Sequence, residues 1–173
     1  MRRRFIFVLM GGAVWIAGCG YHVAGRGDLM PKTIHTIAIP AFANVTARYD
    51  IPRLLPADLT REFISRTKYR IVTDPNQADA VLIGSVANLA AYPTVSDPIT
   101  GRATGVQAVV TLNLTLTDRA TGKVLFNRAG AEFRERYEIS IDPKNYFDES
   151  GPAMQRLSRD VARDVVSAIL ENF

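Results

Sequence analysis

Few side chains in this sequence can do covalent or acid–base chemistry. Cys19 is the one thiol, and His22 and His35 are the two imidazoles. A thiolate is a nucleophile that attacks or accepts acyl groups, but it needs a base or a lowered pKa to act as a catalyst. Nothing in the sequence supplies one, and neither histidine has a second metal ligand nearby, so no metal site is expected. Asp97, Asp118, Asp142 and Asp148 sit in turn-forming stretches, where aspartate is favoured for local hydrogen bonding. There is no G-x-G-x-x-G, and Gly122-Lys123 lacks both the earlier glycine and the following hydroxyl of a phosphate loop. No catalytic residue is expected, and the chain does not read as an enzyme.

The residues before Cys19 give that thiol another role. Arg2, Arg3 and Arg4 form a positive start, and Phe5 to Ala17 is apolar and uncharged. That run is short of the roughly 20 residues a membrane span needs and suits a secretory signal. Ile16-Ala17-Gly18-Cys19 closes it and resembles the bacterial lipoprotein signal, with Ile16 in place of the commoner leucine. The resemblance implies that the thiol is acylated and the chain cut just before it. Residues 1–18 are then a signal peptide and 19–32 a lipidated tether, with the covalent lipid on Cys19 the only non-protein group and no cofactor. An ordinary signal peptide followed by an unmodified cysteine is the other reading, and it leaves an unpaired thiol in an exported protein. Gly20 stands where an aspartate would favour inner-membrane retention, so the outer membrane, periplasmic side, is the expected home.

The formal charge of +4 comes from 21 basic and 17 acidic residues, and three of the bases lie in the signal. Without them the balance is close to neutral, which excludes a whole-surface nucleic-acid binder. Phe133-Arg134-Glu135-Arg136-Tyr137 interleaves rings and bases as RNA-binding strands do. Its glutamates and the export signal favour a solvated or protein-facing strand instead.

Periodicity supplies the scaffold. Ile34 to Phe42 reads as a covered strand, with Pro40 marking an edge or exit. Asn44 to Asp50 is a turn. A helix follows from about Pro52 or Pro56 to Arg66, with Leu55, Leu59 and Phe63 on one face and Ile64 beside them. Tyr69 to Thr73 is a short strand, and Ala80 to Tyr92 a long one. Ala103 to Thr117 alternates most clearly: Val106, Ala108, Val110, Leu112, Leu114 and Leu116 point one way. Gln107, Thr111, Asn113, Thr115 and Thr117 point the other. Pro93 to Arg102 is a hairpin tip, and Asp118 to Lys123 a tight turn with Gly122 at positive φ. The last strand runs from Lys123 to about Ile139, its second half an exposed or partner-facing extension. Ser140 to Gly151 reads as a loop, with Tyr146 and Phe147 available to pack it down. Pro152 to Leu170 is the strongest helix, striped by Met154, Leu157, Val161, Val165 and Ile169 and capped by Ser150 or Asp148.

The expected fold is α+β. It is a two-layer sandwich with two amphipathic helices on one face of a mixed β-sheet that carries a long antiparallel meander. Residues 33–173 form its single domain. The polar face of the meander is left for water, a ligand or a partner.

Gly20-Tyr21-His22 after the cysteine, a tether containing Pro31, and Ile37-Ala38-Ile39-Pro40-Ala41-Phe42-Ala43-Asn44-Val45-Thr46 together resemble the LptE family of lipopolysaccharide-assembly lipoproteins. The helix, the Ala78-Asp79-Ala80-Val81-Leu82 strand entry, the long hairpin and the closing helix agree with that family in order. The resemblance implies a non-enzymatic plug and assembly partner of the outer-membrane β-barrel LptD, and contact with lipopolysaccharide. Acidic groups of that lipid suit Arg and Lys at strand ends and hairpin tips. Arg102, Arg119, Lys123 and Arg128 are the candidates, and they read equally as ordinary solvated cations at turns. The strand motif also occurs in other envelope lipoproteins. An anchored periplasmic accessory lipoprotein of a transporter or secretion system is therefore the alternative.

Overall fold

The alternating stretch forms β5 (Ala103–Asp118), the middle strand of an antiparallel meander between β4 (Ala80–Ser96) and β6 (Val124–Glu138). This computed structural model describes residues 30–171, apart from 141, 143 and 145. The other strands are β1 (Thr36–Ala38), β2 (Ala43–Asn44) and β3 (Arg70–Val72), and the helices are α1 (Asp50–Arg66) and α2 (Ser150–Glu171). The sheet runs β3-β1-β4-β5-β6, with β2 also on β4. β1 is parallel to both β3 and β4, and β2 is parallel to β4, so the sheet is mixed. Both helices lie on one face. The six inward residues of β5, Val106 to Leu116, are buried in one core with Leu55, Leu59, Phe63, Leu157, Val161 and Val165. The expected two-layer α+β sandwich is what forms.

Where the expected strand Ile34 to Phe42 stood, there are two short pieces. Pro40 has no N–H to continue a ladder. Ile39 donates to Val72 on one side (2.9 Å), and the chain then rejoins β4 farther along, Ala43 opposite Ser85. Ile37 and Ile39 enter the main core, and Ala38 packs with Ala78 and Val81 on the other face. β1 is therefore covered on both sides, as its two apolar faces imply.

α1 begins at Asp50, earlier than the prolines suggest. Ile51, fully buried, extends the Leu55–Leu59–Phe63 stripe by one turn. Pro52 falls in the first turn, where a missing N–H costs nothing. Pro56 lies inside the helix, and the Thr60 hydroxyl donates to its carbonyl at 2.8 Å. Ile64 is exposed and does not join the stripe. α2 buries all five of its expected residues, and the Asp148 carboxylate accepts from the Ser150 N–H at 2.8 Å.

β4 runs past Tyr92 to Ser96, through Pro93. Beyond Val86 no strand pairs with its outer edge among the described residues, so a proline there breaks no second ladder. The second half of β6 is only partly an exposed extension: Ala131 and Tyr137 are buried towards the helices. The 140–149 segment is held by backbone, not rings. Ile139 bridges Asp148 and Ser140 donates to Phe147 (2.9 Å), while the Tyr146 and Phe147 side chains are exposed.

Candidate functional site

Over most of β4, β5 and β6 the sheet face away from the helices is left uncovered among the described residues. Cross-strand register arranges its side chains in rows. Tyr92, Gln107 and Arg136 form one row, Ala90, Val109 and Arg134 the next, and Asn88, Thr111 and Glu132 a third. Thr115 lies between Ile83 and Asn127, whose amide oxygen accepts from the Thr115 hydroxyl at 3.1 Å. The polar residues named from the alternation are all here. Ile83 and Tyr92, both more than half exposed, were not foreseen with them. They arrive from β4, where an extra residue at Ala87 switches the alternation, so that Val86 and Leu89 both face the core side.

At the far end of β4 and β5 the hairpin tip is built on one carboxylate. Asp97 Oδ1 accepts from the N–H of Ile99 (3.1 Å) and of Thr100 (2.6 Å), and from the Thr100 hydroxyl (2.8 Å). These bonds, Thr100's first, hold the Asp97 pKa below its ordinary value. Gly101 takes φ +67°, and Asp97 donates to the Arg102 carbonyl at 2.8 Å. The tip so bonded presents Ile99, 91% exposed, beside the exposed Arg102.

The opposite end carries the tight turn. Gly122 takes φ +71°, as expected. Asp118 accepts from the N–H groups of Ala120 (2.8 Å) and Thr121 (3.3 Å), and its pKa is lowered, chiefly by hydrogen bonding from the Thr121 side chain. Asp79 is the joint with the next strands. Its Oδ2 accepts from the N–H of His35 and of Thr36, each at 2.9 Å, and these two bonds lower its pKa. Its own carbonyl accepts from the Arg119 N–H (2.8 Å). Thr33, Ile34, Asp79, Arg119 and Thr121 line a shallow cavity there.

The four candidate cations do not converge. Arg102 is at the tip, and Arg119 and Lys123 flank the turn at the other end of β5, about 50 Å away at the rise of an extended strand. Arg128 is on the helix side of the sheet. It lies opposite Leu114 and donates to Asp164 of α2 at 2.7 Å. Arg136, on the open face, was not foreseen, and its side chain has no ion-pair partner among the described residues. The strict alternation of residues 132–138 was the signal that pointed to it. Cys19 and residues 20–29 of the tether lie outside the described residues.

Among the described residues no three His, Asp or Glu converge to hold a metal, and no helix is long and apolar enough to cross a membrane. What this surface can do is bind, through a largely polar face and a hydrogen-bonded tip.

No curated protein matches the sequence. Several solved structures resemble the fold. A candidate lipoprotein of Caulobacter crescentus is 14% identical, with 75% of this chain and 88% of that one covered and a TM-score of 0.49. The PelC dodecamer of Paraburkholderia phytofirmans is 15% identical, with 80% and 88% covered and a TM-score of 0.47. The lipoprotein GNA1162 of Neisseria meningitidis is 14% identical, with 75% and 96% covered and a TM-score of 0.45. The family model described as "LptE: Lipopolysaccharide-assembly" matches residues 34–169, nearly the whole described domain.

Proposed function

The chain belongs to the LptE lipopolysaccharide-assembly family, and from that premise we propose how its parts divide the work. The family is non-catalytic. Its members are lipid-anchored on the periplasmic side of the outer membrane, partner the β-barrel LptD as a plug, and serve lipopolysaccharide transport to the cell surface. In our reading, residues 1–18 direct export, residues 19–32 tether the domain through a lipid on Cys19, and residues 33–173 are the plug.

The observation that supports this division is the family match over 34–169, which falls on the sandwich and begins where the tether ends. A barrel lumen is polar and water-filled. The uncovered sheet face, with Gln107, Thr111, Asn113, Thr115 and Thr117 in its middle strand, offers hydroxyls and amides to such a wall. In this reading Arg102, exposed beside the Asp97-braced tip, meets an acidic lipid group. Arg119 and Lys123 serve a separate end. Arg128 is engaged by Asp164 and contributes to helix–sheet packing first.

The test is a mild-detergent pull-down of the tagged, lipidated protein from its own membranes. We expect one large outer-membrane barrel in about equal amount. A transporter or secretion-system partner in its place would overturn the plug reading.

A further inference from the structure

The end of the sheet from which the chain leads back to Cys19 carries unpaired positive charge. Five exposed cations gather there: Lys32, Lys68, Arg70, Arg119 and Lys123. Pairing places three of them along one row. Arg70 is opposite Thr36, β1 is beside the start of β4, Ala80 is opposite Asp118, and Lys123, just before β6, accepts from the Asp118 N–H through its carbonyl. Four interstrand steps make that row about 19 Å wide. Lys32 precedes β1, and Lys68 follows the end of α1.

None of the five has an ion-pair partner among the described residues. The nearby carboxylates stay ionised, and Asp79 and Asp118 act through space on Arg119 and Lys123, but their oxygens are aimed at other donors. Asp79 is held by the His35 and Thr36 N–H groups, Asp118 by its own turn, and Asp74 by the Asn76 N–H and the Gln77 amide. Glu171, one turn beyond the Ser167 that accepts from Arg66, is the remaining acid on this side. Five cations against Asp74, Asp79, Asp118 and Glu171 leave a small positive balance, and it lies on the outer surface because all five cations are exposed while the three aspartates are buried or half-buried.

The length of chain before the domain says what faces this end. Twelve residues lie between Cys19 and Lys32; no stretch of that length can reach beyond about 45 Å. The Arg102 tip lies about 50 Å farther along β5, so the basic end is the one held near the anchoring leaflet. We propose that Lys32, Lys68, Arg70, Arg119 and Lys123 form a membrane-docking surface. It binds anionic phospholipid headgroups of that leaflet and points the β4–β5 tip away from it. The inference rests on the Cys19 anchor for its geometry, but the surface is testable without the anchor.

The experiment uses the chain from residue 19 onwards with Cys19→Ser, which keeps all the described residues and removes the acyl site. It is sedimented with vesicles of phosphatidylcholine alone or mixed with phosphatidylglycerol. Binding is expected only to the anionic vesicles and to weaken with salt. Each cation removed is expected to cost about fivefold in affinity, so Arg119→Gln with Lys123→Gln costs roughly 25-fold. Arg53→Gln with Arg159→Gln, an equal charge change on the outer sides of the helices, is expected to leave binding unchanged. Equal binding to both vesicle types, an unaffected Arg119/Lys123 variant, or equal losses in the two double variants would each overturn the proposal. Absence of acyl mass on Cys19 in the native protein would remove the anchor instead, so the two failures are separable.

Discussion

Arg128 and Phe133 stand five residues apart on β6, yet both lie on the helix-covered side of the sheet, the guanidinium carbon 5.4 Å from the ring centroid. Strict alternation puts residues an odd number apart on opposite faces. A bulge between them absorbs the difference: Leu112 pairs with Ala131 and Leu114 with Arg128, so Asn113 faces two residues. Gly130 takes φ +65° and donates its N–H to the Asn113 side-chain oxygen at 2.9 Å. Arg128 is thereby turned from the open face to Asp164.

Arg128→Gln should therefore act on stability more than on ligand binding. Both partners are partly exposed, and solvent screening limits the loss to at most about 1 kcal/mol. Thermal melts at low and high salt would check it: the difference from the parent should shrink with salt, while lipopolysaccharide affinity stays level.

Arg102→Glu should weaken lipopolysaccharide binding roughly tenfold or more, the scale of one lost charge-assisted hydrogen bond, without lowering the melting temperature. Equal affinity in a pull-down with immobilised lipopolysaccharide would remove Arg102 from the proposed contact.

Gly84 lies directly under the Phe42 ring, so closely that a Cβ would collide with Phe42 Cε2, Cζ and Cδ2. Gly84→Ala should destabilise by about 1–3 kcal/mol, the usual cost of overpacking. Adding Phe42→Leu should recover part of that loss in urea unfolding, and a strictly additive double variant would refute the contact.

Ser158 is fully buried and donates to Asp58 Oδ2 at 2.6 Å across the α1–α2 seam. Ser158→Ala leaves that carboxylate with Arg61 alone and should cost about 1–2 kcal/mol in chemical denaturation, and Ser158→Thr should retain part of the bond.

Asp79 has a folded-state pKa below its unfolded value because its carboxylate accepts two backbone N–H groups. The stability it contributes is fully present above the unfolded value of 3.8 and is lost as pH falls through the lower folded value. Asp79→Asn should flatten the acid limb of a stability–pH curve while leaving its shape above neutrality alone. An unchanged acid limb would show that the joint between β1 and β4 does not titrate.

Much of this architecture was legible beforehand, because periodicity belongs to the local chain. The inward and outward residues of β5, the α2 stripe and the glycine turn at Gly122 all follow from spacing alone. The family was legible too, as a resemblance carried by the strand motif and the order of elements. The elements misread were those in which a long-range contact outweighed a local preference. Ile51 drew α1 a turn earlier, a free outer edge let β4 continue through Pro93, and Pro40 divided the first strand so that its halves meet β4 at different points.

The candidate cations mark the boundary most sharply. Their types and turn positions, and the likeness of Ile16–Cys19 to a lipoprotein signal, are properties of the sequence by itself. Which of them share a surface was decided only in three dimensions. Bulges such as those at Ala87 and beside Asn113 shift the side-chain alternation; Gly130 hints at the second, but nothing in the local sequence marks the first. Pairing of β3, β1, β4 and β6 brings Arg70 into one row with Arg119 and Lys123 across about 50 residues of sequence, while it leaves Arg102 at the far end of the strand that Arg119 follows. Strand register is set by burial of one face against the helices, a condition that no single segment contains.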